Sequence, residues 1–65
     1  MLNNAELIEM HLATYLHETN QVANIRWDAV LAYCIGYYDE ITMDHIVAIR
    51  NLERLGYIRE VNRNV

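Results

Sequence analysis

A chain of 65 residues and 7.7 kDa has room for one small domain, residues 1–65, and not for two domains flanking a deep cleft. Hydrophobic residues make up 54% and charged residues 22%, which excludes a disordered chain, and the net charge of −4, with no lysine, excludes a bulk-basic nucleic-acid binder. One cysteine, Cys34, excludes an intrachain disulfide. In so small a domain the gain from apolar burial and the cost of ordering the chain are of similar size, so the fold is marginal alone and a second copy would support it.

The opening Met1-Leu2-Asn3-Asn4-Ala5-Glu6 carries no basic region and does not read as a secretory signal. The first helix is predicted over about 3–19, with Asn3 or Asn4 as its cap and Glu6 in the favoured acidic first turn. Ala5, Ile8, Leu12, Tyr15 and Leu16 form a stripe at helical spacing, widened by Leu7 and Met10. The second helix is predicted over about 25–38, with Asn24 as its cap and Trp27, Val30, Leu31, Cys34 and Ile35 on one face. Ala29, Ala32 and Tyr33 leave it little polar surface, and a helix apolar nearly all round is central or covered by a second chain. Its longest apolar run, Ala29 to Ile35, falls far short of the roughly 20 residues that span a bilayer, so no membrane partner is expected.

After the turn Asp39-Glu40-Ile41, Thr42 caps a third helix predicted to end near Leu55, with Ile46, Ile49, Leu52 and Leu55 as its buried stripe. Gly56 suits the left-handed position past a helix end, and 57–61 has β character, with Ile58 facing opposite to Tyr57, Arg59 and Val61. The predicted fold is mostly α: a compact three-helix domain with a short C-terminal β-strand.

Thr42 to Arg59 resembles the end of a winged-helix (helix-turn-helix) domain. The phrase Leu52-Glu53-Arg54-Leu55-Gly56-Tyr57-Ile58-Arg59 is similar to the close of that family's recognition helix and its entry into the first wing strand. The resemblance implies a winged-helix-like fold, here with a truncated wing, that reads DNA. A homodimer is expected apart from it, from the marginal stability, the nearly all-apolar second helix and the unpaired strand. Arg50 and Asn51 with Arg54 would then face the grooves, and Arg59 and Arg63 the flanking phosphates. Asp44, near the helix start, opposes that use.

The charge is uneven. Residues 1–40 set one arginine, Arg26, against Glu6, Glu9, Glu18, Asp28, Asp39 and Glu40, whereas residues 41–65 set Arg50, Arg54, Arg59 and Arg63 against Asp44, Glu53 and Glu60. The acidic surface lies in the first part, next to an aromatic group of Trp27, Tyr33, Tyr37 and Tyr38. Tyrosine and tryptophan suit interfaces because a flat apolar body carries a polar edge. Glu6, Glu9, Tyr37, Tyr38, Asp39 and Glu40 are therefore the candidate protein-binding residues, and a basic nucleic-acid-binding protein is the partner their charge suits.

Chemistry has little to stand on. The chain has no serine, and its two isolated glycines, Gly36 and Gly56, make no phosphate loop. His11 and His17 are six residues apart and diverge on a helix, and position 21, where a zinc helix would need its second histidine, is Gln21. No metal, cofactor or enzymatic activity is expected. The resulting expectation is a small cytoplasmic regulator that binds a protein, of a size that suits a phage or mobile-element inhibitor. The winged-helix-like DNA-binding homodimer stands as its alternative.

Overall fold

The computed structural model describes residues 2–59, and they form three helices: α1 (Asn4–Glu18), α2 (Trp27–Tyr38) and α3 (Met43–Arg54). Asn3 caps α1 reciprocally. Its Oδ1 accepts from the Glu6 N–H at 2.8 Å, and the Glu6 carboxylate accepts from the Asn3 N–H at 2.9 Å. α2 begins two residues later than the pattern predicted, with Arg26 rather than Asn24 at its cap position. Extended pairing takes up the residues before it: the Arg59 N–H donates to the Ile25 carbonyl at 2.9 Å and the Ala23 N–H to the Tyr57 carbonyl at 2.8 Å. α2 stops at Asp39, whose φ of 69° is left-handed, a conformation aspartate tolerates better than most side chains.

α3 closes in a Schellman turn, with Gly56 at φ 89°. The Gly56 N–H donates to the Glu53 carbonyl at 3.0 Å and the Tyr57 N–H to that of Leu52 at 2.9 Å. Tyr57–Arg59 then returns along the approach to α2. It forms a single parallel bridge, Arg26 to Arg59, and no strand forms among the described residues. The remainder of the predicted strand, Glu60 and Val61, lies outside them, as does Arg63.

α1 and α3 run side by side in the same direction. Asn4 donates to Asp44 near their starts (3.2 Å), and Asn51 donates to Glu9 further along (3.3 Å). α2 runs opposite to α1, as the pairings His11 with Tyr37 and Tyr15 with Tyr33 establish. The core is Ile8, Leu12 and Leu16 of α1, Val30 and Cys34 of α2, and Ala48, Ile49 and Leu52 of α3. Ile25 and Ile58 close it from the paired segment.

The periodicity placed most of these residues inside and erred at the margins. Leu7, Met10, Ile35 and Leu55 are exposed, and Ile46 is half-buried. His45 and Ala48 take the inward places on α3 instead. The cause is the close approach of α1, which rotates the buried stripe of α3 toward its Asp44–Asn51 side.

Candidate functional site

Four helix-bound rings join α1 to α2. Tyr15 stacks on Tyr33 with centroids 3.8 Å apart, and His11 stacks on Tyr37 at 4.5 Å. The His11 Nε2 and the Tyr33 hydroxyl share a hydrogen bond of 2.8 Å. The spacing explains the arrangement: His11 and Tyr15 are one turn apart on α1, as Tyr33 and Tyr37 are on α2, so antiparallel helices bring the pairs into register. Tyr38 extends the cluster toward α3, packing edge-on against His45 at 4.5 Å.

His45 is buried and holds the start of α3. Its Nδ1 accepts from the Thr42 N–H at 3.0 Å, which leaves the ring proton on Nε2. That Nε2 is buried with no hydrogen-bond partner. An unpaired buried donor costs stability, and the cap on Thr42 and the packing on Tyr38 offset the cost.

These contacts gather three termini at one end of the bundle: the start of α1, the end of α2 and the start of α3. Glu6, Asp39 and Glu40 are exposed there. Leu7 lies one turn before His11 on the same flank of α1 and is exposed, as is Tyr37 at 56% and Met43 at 72%. Large apolar side chains rimmed by carboxylates are the usual marks of a docking surface. Of the six candidate protein-binding residues, Glu6, Tyr37, Tyr38, Asp39 and Glu40 share this end. Glu9 does not join them. It is half-buried on the seam between α1 and α3, where its carboxylate accepts from Asn51.

The candidate DNA-binding residues separate likewise. Arg50 and Arg54 are exposed along the outer face of α3, in line with Met43 and Val47. Asn51 turns toward α1, donating to Glu9 and accepting from Arg54 at 2.6 Å. Asp44 also turns away from the outer face, toward Asn4, which removes the carboxylate expected to repel phosphate. Arg59 lies at the opposite end of the bundle from Glu6, beside Arg26. Arg26 and Asp28 approach to 3.9 Å in the open, a contact of little energetic weight.

Sequence reading missed His11 and His45. His11 is half-buried at the centre of the ring cluster. The available signal was the pair of one-turn aromatic spacings, legible only once the two helices are known to be antiparallel. Among the described residues no three His, Cys, Asp or Glu side chains converge as a metal site would need. No helix among them is long and apolar enough to cross a membrane.

Burial pushes the Cys34 thiol and the Tyr33 and Tyr38 phenols above their ordinary values, and neighbouring ionisable groups add to the effect on both tyrosines. These groups stay protonated in the folded chain while the unfolded chain ionises. Their contribution is therefore complete below the ordinary thiol and phenol values, about 8.5 and about 10, and is lost as pH rises past them. The melting temperature is expected to fall between pH 7 and pH values above about 10. Cys34 should be inert to an aromatic disulfide reagent at pH 7 until urea unfolds the chain. Rapid labelling of the folded protein would contradict its burial.

Comparison with family models, with curated proteins and with solved structures finds no match for this chain.

Proposed function

We propose that this chain is a small, non-enzymatic cytoplasmic regulator that acts by binding a protein through the acidic end of its bundle. The observation that carries the reading is that Leu7, Tyr37 and Met43, all exposed, lie at the same end of the bundle as the exposed Glu6, Asp39 and Glu40. Apolar side chains supply area to bury. The carboxylates select a positively charged partner and speed its approach. The partner that fits is a basic protein surface, such as that of a nucleic-acid-binding protein, and an inhibitor that occupies such a surface suits a chain of this size. The free, buried Cys34 fits a reducing compartment.

Titration into a fluorescein-labelled arginine-rich peptide tests the proposal. The wild type should bind, and the combined Glu6→Gln, Asp39→Asn and Glu40→Gln variant should bind about 10-fold more weakly or worse at low salt. Glu9→Gln should change little, because Glu9 is engaged with Asn51. Equal affinity of the wild type and the combined variant would sink the reading.

A second reading is favoured by one specific observation, the carboxylate-free line of Met43, Val47, Arg50 and Arg54 on the outer face of α3. In it the chain is a winged-helix-like DNA-binding homodimer with a truncated wing, and α3 enters the major groove. Arg50 and Arg54 would contact the duplex, with Arg59 and Arg63 on flanking phosphates. Binding to mixed-sequence duplex DNA that weakens steeply with salt, and is lost on combining Arg50→Ala with Arg54→Ala, would select this reading over the first.

A further inference from the structure

α2 is the most apolar helix, yet it is not the central one. Its inward side buries Val30 and Cys34 in the core, and meets α1 through the stacked rings and α3 through Tyr38. Its outer side is open: Ala29, Ala32 and Gly36 are exposed and Ile35 is 54% exposed. A Cβ built on Gly36 would meet nothing within 4 Å. The only charged side chain on the helix is Asp28, at its first turn. A surface helix ordinarily turns a polar face to water, and this one does not.

We infer that this face is covered by the same face of a second copy, α2 against α2 in antiparallel array about a two-fold axis near Ala32 and Tyr33. The charge pattern selects that occupant. Arg26 stands at the start of α2, bridged to Arg59 and 3.9 Å from Asp28, so this start sets two exposed arginines against one exposed carboxylate. Asp39 and Glu40 stand just past its end, also exposed. Arg26 and Asp39 are equidistant from the helix midpoint, so a two-fold axis there sets each basic start against an acidic end of the other copy. The same register sets Ala29 against Gly36, where small residues allow close approach of the helices, and opposes the two helix dipoles. A parallel pair would bring like charges together at both ends. Tyr37 lies on the α1 flank of α2 and stays uncovered.

The dimer stands independently of the choice between a protein and a DNA partner. It does share Asp39 and Glu40 with the proposed docking end, so a basic protein and the second copy compete for those two carboxylates.

Sedimentation equilibrium of the full chain, across concentrations from about 1 to 100 µM, bracketing typical micromolar dissociation constants, tests the inference. The wild type should approach twice 7.7 kDa. Ala32→Glu puts a charge at the centre of the interface on an exposed helical site, and should raise the dimer dissociation constant about 100-fold or more while helicity by circular dichroism is kept. Met10→Glu, exposed on α1, should leave the dimer intact. Arg26→Glu and Glu40→Arg should each weaken the dimer, and together they should restore it. A wild type of 7.7 kDa at the highest concentration would overturn the inference. So would an Ala32→Glu dimer as tight as the wild type, or a double charge swap no tighter than either single variant.

Discussion

Leu12→Ala is expected to remove about 3 kcal/mol of folding free energy, within the range for a buried leucine cut back to alanine. Leu12 is fully buried on α1 and belongs to the same cluster as Leu16, Ile49 and Leu52. Truncating it loses the transfer energy of three carbons and leaves a void that helices pinned by Asn4–Asp44 and Glu9–Asn51 do not readily fill. A domain of this length has only about 3–10 kcal/mol in total. The variant should therefore melt more than about 10 °C below the wild type, or be unfolded at 25 °C. Met43→Ala is the matched control, since Met43 is 72% exposed, and it should shift stability by no more than about 0.5 kcal/mol. Thermal melts by far-ultraviolet circular dichroism at one fixed chain concentration read both. Equal melting temperatures for the two variants would contradict the described core.

His45→Ala should cost a similar amount, about 2–4 kcal/mol, for a different reason. The change removes the acceptor for the Thr42 N–H and the ring that packs on Tyr38, so the cap and the packing fail together. His45→Leu separates the two. It roughly keeps the volume, gives up the cap, and also removes the unpaired Nε2–H. The lost cap and the relieved donor offset each other, so this variant should lie within about 1 kcal/mol of the wild type. His45→Gln keeps an acceptor three residues past Thr42 but fills less space, and should fall between the others. A leucine variant as unstable as the alanine variant would show that the hydrogen bond, and not the filled volume, holds this corner.

α1 and α3 were legible in the sequence because their punctuation is local. Asn3 with Glu6, Thr42 at the head of α3, and Gly56 at its end each act within one turn. Helical spacing likewise found Ile8, Leu12, Leu16, Val30, Cys34, Ile49 and Leu52. What local pattern does not encode is the direction from which a neighbour arrives. The approach of α1 to α3 buries Ala48 and His45 and leaves Leu55 64% exposed, contrary to the stripe read from spacing. The late start of α2 has the same origin, since Ile25 and Arg26 pair with residues more than 30 positions away.

The candidate site was legible in its residue types and not in its grouping. Tyr37, Tyr38, Asp39 and Glu40 are consecutive, so their proximity was certain. Glu6 and Leu7 join them only because α1 and α2 are antiparallel. Residue type alone places Glu9 on a protein-binding surface and Asn51 on a DNA-binding one, whereas the structure bonds them to each other. Two residues of opposed assignment thus become one structural contact, leaving Arg50 and Arg54 as the exposed cations of α3.

Amide chemical-shift mapping on isotope-labelled protein decides which surface binds, because one spectrum distinguishes the acidic end from the outer face of α3. Addition of an arginine-rich peptide should move the resonances of Glu6, Leu7 and Tyr37 to Glu40 and leave those of Val47, Arg50 and Arg54 in place. Duplex DNA at about 50 mM salt, where phosphate contacts are strong, should move neither set. Shifts confined to Val47, Arg50 and Arg54 on adding DNA, with no response at the acidic end to the peptide, would rule out docking at the acidic end.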